Sequence, residues 1–285
     1  MVVQAYAKLN LVLNVTKNKK ENYHEIESLM IPISLHDSID ISLLKEGNAT
    51  YVTCDSFELA GEQFNTVTHV VNLLREKYKF KDHFRIIIYK RIFIAGGLGG
   101  GSSDAAAVIL AINKILKLNM SDEEMIEIAR KVGSDVPFFL FNKPAIVSGT
   151  GENIKSLPAF KKQYYCLIVK PTKGLSTGEV YKKFDEMNCD SSNTAINKVI
   201  EAYDDNEFTL GSLVSNDLET PAIQMCPEIQ TLKDELVKNH GLGCVLMTGS
   251  GSTIFALSSN KKQLFKIFEK YFDSENYKAE FCKTL

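Results

Sequence analysis

The sequence predicts an α+β protein of two domains. Its first half reads as strands followed by helices. Composition shifts after about residue 150, and the chain of 285 residues is long enough for two cores.

Residues Leu9–Val15 alternate apolar with polar or small residues, the period of a half-buried strand. Further strand-like runs lie near Ile26–Ser34, Ser38–Leu44 and Ala49–Thr53, with Lys17–Asn22 read as a polar loop. The spacing of Val67, Val70, Val71, Leu74 and Tyr78 predicts a helix over Thr66–Tyr78. The β-branched content of Phe84–Lys90 predicts a strand, and an alanine- and leucine-rich helix follows at Ala105–Leu116. Ser121-Asp122-Glu123-Glu124 is a capping-box pattern, which starts a helix over Asp122–Lys131 with Gly133 as its stop. Ala145–Ser148 reads as a strand and Gly149-Thr150-Gly151 as a turn.

The domain boundary is placed at about Lys155–Lys162, giving domains of residues 1–158 and 159–285. Beyond it, Tyr164–Val169 is a strand, while Asp185–Asn193 and Ala202–Glu207 read as polar loops. Cys244–Thr248 and Thr253–Leu257 are short strands joined by Gly249-Ser250-Gly251-Ser252. A helix over Lys261–Tyr271 and a strand over Tyr277–Cys282 complete the pattern.

Bulk properties narrow the function. Hydrophobic residues make up 45% and charged residues 24%, the ordinary globular mix. A formal net charge of −2 gives no basic excess for nucleic acid. No apolar run reaches the ~18 residues of a membrane span, and the first residues lack a signal-peptide pattern. Six scattered cysteines without a CxxC pair suit reduced thiols, and five dispersed histidines give no metal-ligand spacing. The expectation is a cytoplasmic enzyme or binding protein, a monomer or weak homodimer, with neither nucleic acid nor membrane as partner.

The segment Gly96-Gly97-Leu98-Gly99-Gly100-Gly101-Ser102-Ser103 stands between a strand and a helix. Five of its residues lack side chains, so consecutive backbone N–H groups can converge, and the helix adds the positive end of its dipole. Ser102 and Ser103 add hydroxyls for phosphate or a metal ion. This is the composition of an anion site. It is not a P-loop, because Ser102-Ser103 stand where that motif needs Lys-Ser/Thr. Nor does it complete the dinucleotide fingerprint, whose final small residue would fall on Ser102. The alternative is a tight turn with a serine as N-cap.

Read with other segments, this loop resembles the GHMP kinases. The similar segments are Ala7-Lys8-Leu9-Asn10-Leu11, Asn22-Tyr23-His24-Glu25-Ile26, Asn65-Thr66-Val67, Gly133-Ser134-Asp135-Val136-Pro137, Asn216-Asp217-Leu218-Glu219 and Met247-Thr248-Gly249-Ser250-Gly251-Ser252. The branch that phosphorylates a cytidine-diphosphate-linked methylerythritol in the non-mevalonate isoprenoid pathway is the most similar. The chain departs from that pattern at Asn22, Phe93 and Gly96, in place of glycine, proline and alanine. The resemblance implies an N-terminal domain like ribosomal protein S5 domain 2, a ferredoxin-like C-terminal domain, and an active site in the cleft between them. It implies transfer of a phosphoryl group from ATP to the acceptor's 2-hydroxyl, with Mg²⁺ arriving on the ATP. Ser103 is the protein group that would help hold that ion.

Each residue so implicated has a plainer reading. Asp135 alone would be an N-cap; the resemblance makes it the general base. Lys8 alone would be a solvent-facing strand lysine; the resemblance places it beside Asp135, with Asn10 on the same strand face toward the acceptor. Tyr23 and His24 would be a surface aromatic and a solvent histidine; the resemblance sets them around the cytosine. Tyr181 is either the opposite wall of that pocket or a core residue of its helix. Asn65 and Lys90 are candidates for the adenine end, and Gly97, Leu98, Gly99, Gly100, Gly101, Ser102 and Ser103 for the phosphates. Gly249 and Ser250 are either a hairpin turn or the border of the substrate pocket. The rivals are another GHMP kinase without a cytidine requirement, against which Tyr23-His24 argues, and a nucleotide-binding protein without catalysis.

Overall fold

The computed structural model describes residues 1–20, 23–44, 49–56 and 66–285. The chain forms two compact units that are interleaved in sequence. The first comprises Met1–Ala7, His36–Ile92 and Gly99–Asn142. The second comprises Lys8–Leu35, Phe93–Leu98 and Lys143–Leu285. Strands β1 (Val2–Lys20) and β2 (Tyr23–Leu43) each run from one unit into the other.

In the first unit, β2 pairs antiparallel with β4 (Phe84–Tyr89), from Ser38 opposite Tyr89 to Leu43 opposite Phe84. β3 (Tyr51–Cys54) lies parallel on the other edge of β4. Phe84, Ile86 and Ile88 are buried while their alternates are not, the period of a sheet with one covered face. Helix α1 (Thr66–Tyr78) has the predicted bounds and buries Val67, Val70, Val71 and Leu74. Burial of each such side chain contributes about 1.5–3 kcal/mol, which outweighs the weak helix propensity of three valines. Helix α3 (Asp122–Val132) carries the predicted capping box, Ser121 Oγ accepting from Glu124 N and Glu124 Oε2 from Ser121 N. Gly133 closes it, and the short α4 (Val136–Phe139) follows.

Three expectations for this half of the chain are corrected. The runs 26–34 and 38–44 form a single strand. The polar His36-Asp37 pair reads as a break, but Asp37 is buried and takes hydrogen bonds from the backbone of Arg91 and Ile92. Lys17–Lys20 is not loop but the exposed end of β1; its polarity reflects solvent rather than a turn. Asn22, the last residue of that expected loop, lies outside the described residues. Helix α2 spans Gly100–Leu116, five residues longer at its start than predicted. The glycines disguise its first turn.

In the second unit, β2 pairs antiparallel with β5 (Ala145–Gly149), which pairs with β6 (Asn153–Ser156). A four-stranded antiparallel sheet has the order β11-β7-β10-β9. Its strands are Tyr277–Lys283, Tyr165–Pro171, Ile254–Ser258 and Cys244–Met247. Helices α5 (Thr177–Glu186), α8 (Glu219–Met225), α9 (Glu228–Asp234) and α10 (Lys261–Phe272) bury Val180, Phe184, Ala222, Ile229, Leu232 and Leu264 in one cluster with Leu167, Val169 and Ala256. The two polar segments read as loops are partly helical: α5 ends at Glu186, α6 (Ile196–Tyr203) takes in Ala202, and α7 (Glu207–Gly211) begins at Glu207. The two-residue strand β8 (Ser215–Asn216) lies parallel to β1. None of the described helices is long and apolar enough to cross a membrane.

Candidate active site

The glycine loop is divided between the units, and its glycines differ in why they lack side chains. In the second unit, Gly97 has φ +73°, and a Cβ there would lie 2.2 Å from the carbonyl oxygen of Thr248. A Cβ on Gly249 would lie 2.7 Å from the carbonyl oxygen of Gly97. The loop and the β9–β10 turn therefore pack backbone on backbone. Both glycines are explained by that approach alone. Gly96 is likewise crowded by Thr253 Oγ1 at 2.7 Å, and Leu98 is buried, its carbonyl accepting from Lys8 N at 3.1 Å.

In the first unit, Gly99 has φ 75° and serves as the N-cap of α2, with no side-chain cap. A Cβ on Gly100 would meet Ile92 Cγ2 at 3.0 Å and Lys90 Nζ at 3.2 Å, so this glycine too is a packing position. Gly101 has no such reason. It is helical and exposed, and among the described residues a Cβ there would meet nothing nearer than Thr66 Oγ1, at an ordinary 3.7 Å. Glycine in a helix costs about 0.5–1 kcal/mol relative to alanine. An internally unexplained glycine in the first helical turn, beside N–H groups that have no intrahelical acceptor, is a cradle that a side chain would fill. Ser102 is half-buried and Ser103 is buried at 2% exposure, which leaves Ser102 as the more accessible hydroxyl. Asn65 lies outside the described residues.

Lys90, expected near the adenine, holds two carboxylates, Asp37 Oδ2 at 2.5 Å and Asp104 Oδ2 at 2.8 Å. Burial pulls its pKa down, but Asp104 and Asp37 outweigh that and raise it. Among the described residues no three His, Cys, Asp or Glu side chains are grouped to hold a metal ion.

In the second unit Lys8 is buried, and its ammonium donates to Asn10 Oδ1 at 2.5 Å. Asn10 is a hub. Its Oδ1 also accepts from Gly249 N at 3.0 Å and Thr248 Oγ1 at 3.3 Å, and its Nδ2 donates to Ser28 Oγ at 2.8 Å. Its amide therefore ties the lysine to the β9–β10 turn. From the far side Asn216 Nδ2 donates to the carbonyls of Met247 (2.9 Å) and Gly249 (2.8 Å), and Glu219 Oε2 accepts from Met247 N at 3.0 Å. Asp217 accepts from Val15 N at 2.7 Å and Ser192 N at 3.0 Å. The segment Asn216–Glu219, visible in the sequence without a role, is the seat of this turn. Ser250 Oγ lies 2.9 Å from Thr177 Oγ1, at the first residue of α5.

Asp135, in the first unit, stands at the N-cap position of α4, yet its carboxylate makes no capping hydrogen bond. The reading of Asp135 as an N-cap thus loses its support.

His24 is buried rather than solvent-facing. Its Nδ1 is 2.6 Å from the carbonyl of Thr16, and since a carbonyl only accepts, Nδ1 carries the proton. Nε2 lies 2.9 Å from Asp185 Oδ1, off the line of a hydrogen bond. Asp185 is held below the ordinary carboxylate range chiefly by its bond from Lys19, with His24 adding to it. The ring stacks on Tyr181 (5.5 Å, 21°) and meets Phe184 edge-on. Tyr181 is both a wall of this aromatic group and packed against the core. Tyr23 is 67% exposed.

The chain matches the family model of the GHMP kinases N terminal domain over residues 65–143 and that of the GHMP kinases C terminal over 205–278. It is 37% identical over 267 residues to the 4-diphosphocytidyl-2-C-methyl-D-erythritol kinase of Thermoanaerobacter pseudethanolicus, covering 94% of this chain and 90% of that one. A crystal structure of 4-(cytidine 5'-diphospho)-2C-methyl-D-erythritol kinase superposes with a TM-score of 0.81 at 28% identity, over 99% of each chain. The mevalonate kinase of Methanococcus jannaschii shares the fold at TM-score 0.71 and 13% identity, over 100% of this chain and 98% of that one.

Proposed function

The chain belongs to the GHMP kinase family, and we propose that it transfers the γ-phosphoryl group of ATP to the 2-hydroxyl of 4-diphosphocytidyl-2-C-methyl-D-erythritol. The observation that carries the kinase chemistry is the open first turn of α2 at Gly101, where the chain forgoes a side chain it has room for. The backbone N–H groups of residues 99–102 hold the phosphates there, and Ser102 or Ser103 assists the Mg²⁺ that ATP brings. ATP supplies the phosphoryl group. The protein supplies position, charge and a proton acceptor.

Asp135 takes the proton of the acceptor hydroxyl, consistent with a carboxylate that does not cap its helix. Lys8, oriented by Asn10, stabilises the negative charge that develops during transfer. His24, with its tautomer set by Thr16, reads the cytosine edge, and Tyr181 offers an aromatic face. The identity to relatives named for the cytidine substrate supports this choice of acceptor over homoserine or mevalonate.

The test is ATP consumption across a panel of acceptors, with the wild-type chain and His24→Ala. The cytidine compound is expected to be phosphorylated and methylerythritol 4-phosphate to be a very poor acceptor. His24→Ala should raise the KM for the cytidine compound by about ten- to a hundredfold, the loss of one buried polar contact, and spare the KM for ATP. Efficient turnover of homoserine or mevalonate, with the cytidine compound ignored, would leave the kinase and remove the acceptor assignment.

A further inference from the structure

The first unit buries three charged side chains together, and the kinase chemistry above uses only their neighbourhood. Asp37, on β2, is fully buried. Its Oδ1 accepts from Arg91 N at 2.6 Å and Ile92 N at 2.8 Å, while its Oδ2 accepts from Lys90 Nζ at 2.5 Å. One carboxylate thus fastens three consecutive residues just after β4. The Lys90 ammonium then reaches Asp104 Oδ2 at 2.8 Å, at the start of the second turn of α2. Side chains on a helix lean toward its N-terminus, so this bond pulls on the first turn. The ammonium also lies directly against Gly100, whose Cβ would come within 3.2 Å of it.

Such a cluster is a costly way to join a strand to a helix. Each buried charge costs several kcal/mol of desolvation, and well-packed apolar residues often serve stability as well or better. What an ionic link provides is a fixed geometry. The element it fixes is the turn whose Gly101 stands open.

We propose that Asp37 and Asp104 are positioning residues which, through Lys90, hold the first turn of α2 in place to receive the phosphates of a nucleotide. The inference rests on the phosphate reading of that turn.

The cluster also has two charge states. Asp104 Oδ1 is buried without a hydrogen bond among the described residues, and burial, with Asp37 adding to it against Lys90, raises the Asp104 pKa to about 7. The charged or titratable groups that act on it are Asp37 from β2 and Lys90 after β4, with Cys54 at the end of β3 close enough to couple to it. Below neutral pH the triad sums to zero; above it, to −1. A net negative charge beneath a helix N-terminus opposes an anion, so nucleotide affinity should fall as pH rises through 7.

The experiment is calorimetric titration of ADP into the full chain at pH 6, 7 and 8. The variants are Asp104→Asn, Asp104→Leu, Lys90→Met and Gly101→Val. The titration of ADP itself is common to all and cancels in ratios. The wild-type chain is expected to lose about three- to tenfold more affinity from pH 6 to 8 than Asp104→Asn, the size of one charge near a helix N-terminus. Asp104→Asn should match the wild type at pH 6, where Asp104→Leu is weaker. Lys90→Met should bind more weakly throughout. A wild-type to Asp104→Asn ratio that stays constant across pH, with Asp104→Leu binding like wild type, overturns the proposal even if Lys90→Met fails to fold. Unchanged ADP affinity in Gly101→Val would instead remove the phosphate reading itself.

Discussion

Gly97 and Gly101 stand four residues apart in one loop and lack side chains for different reasons. The first makes room for the backbone of Thr248, and the second for no close contact among the described residues. Asp135 is a parallel case, a residue at a capping position that forms no cap. If its carboxylate accepts the acceptor's proton, Asp135→Asn should lower kcat by about 10²–10⁴-fold, the usual span of general acid–base catalysis, and leave ATP binding intact. Single-turnover kinetics at saturating substrates reads this directly; near-normal turnover would return Asp135 to a structural role. Lys8, Asn10 and Asp135 were legible in the sequence as types in a motif. Asp37 and Asp104 belong to no such motif, although an aspartate amid the alanines of a buried helix face is a signal of its own.

The elements differ in how far their sequences specify them. Helices α1 and α3 follow from local information: an apolar stripe of four residues in one, a reciprocal cap in the other. The β9–β10 turn depends on remote partners. Asn216 binds the carbonyls of Met247 and Gly249 and accepts from Leu218 N at 2.9 Å. Asn216→Ala removes all three bonds at a buried position, and each group left unpaired costs about 1–3 kcal/mol before relaxation. The urea midpoint should fall by the equivalent of roughly 2–4 kcal/mol, the range for breaking a buried network. An unchanged midpoint would mean that the turn holds its shape without its seat. Because the same turn hydrogen-bonds Asn10, which holds Lys8, kcat should fall in this variant as well.

For the whole molecule, the protonation of Asp104 links stability to pH. Its ordinary pKa of 3.8 rises to about 7 on folding, with burial the leading cause. Between those values the folded chain keeps a proton that the unfolded chain has released. That contribution to stability is therefore present at low pH and lost as pH rises from about 4 toward 7, after which it is constant. Asp104→Asn cannot titrate, so its Tm relative to wild type should climb from pH 5 to pH 7. Parallel Tm curves for the two proteins would show that Asp104 ionises normally in the folded state.

Strand and helix periodicity, the capping box and the glycine–serine segment were properties of the sequence alone, because each depends on residues a few positions apart. They sufficed for an α+β chain with a turn of anion-site composition, and the order of motifs sufficed for the family. Tertiary structure decided the rest. It made one strand of 26–34 and 38–44 by burying Asp37 against the turn after β4, and it drew α2 back to Gly100. It also interleaved the two units along the chain. The physical reason is that a polar residue has the same letter whether it faces water or a buried partner. Only the fold brings Lys90 to Asp104, or Asn216 to Gly249, and so decides which of the two it is.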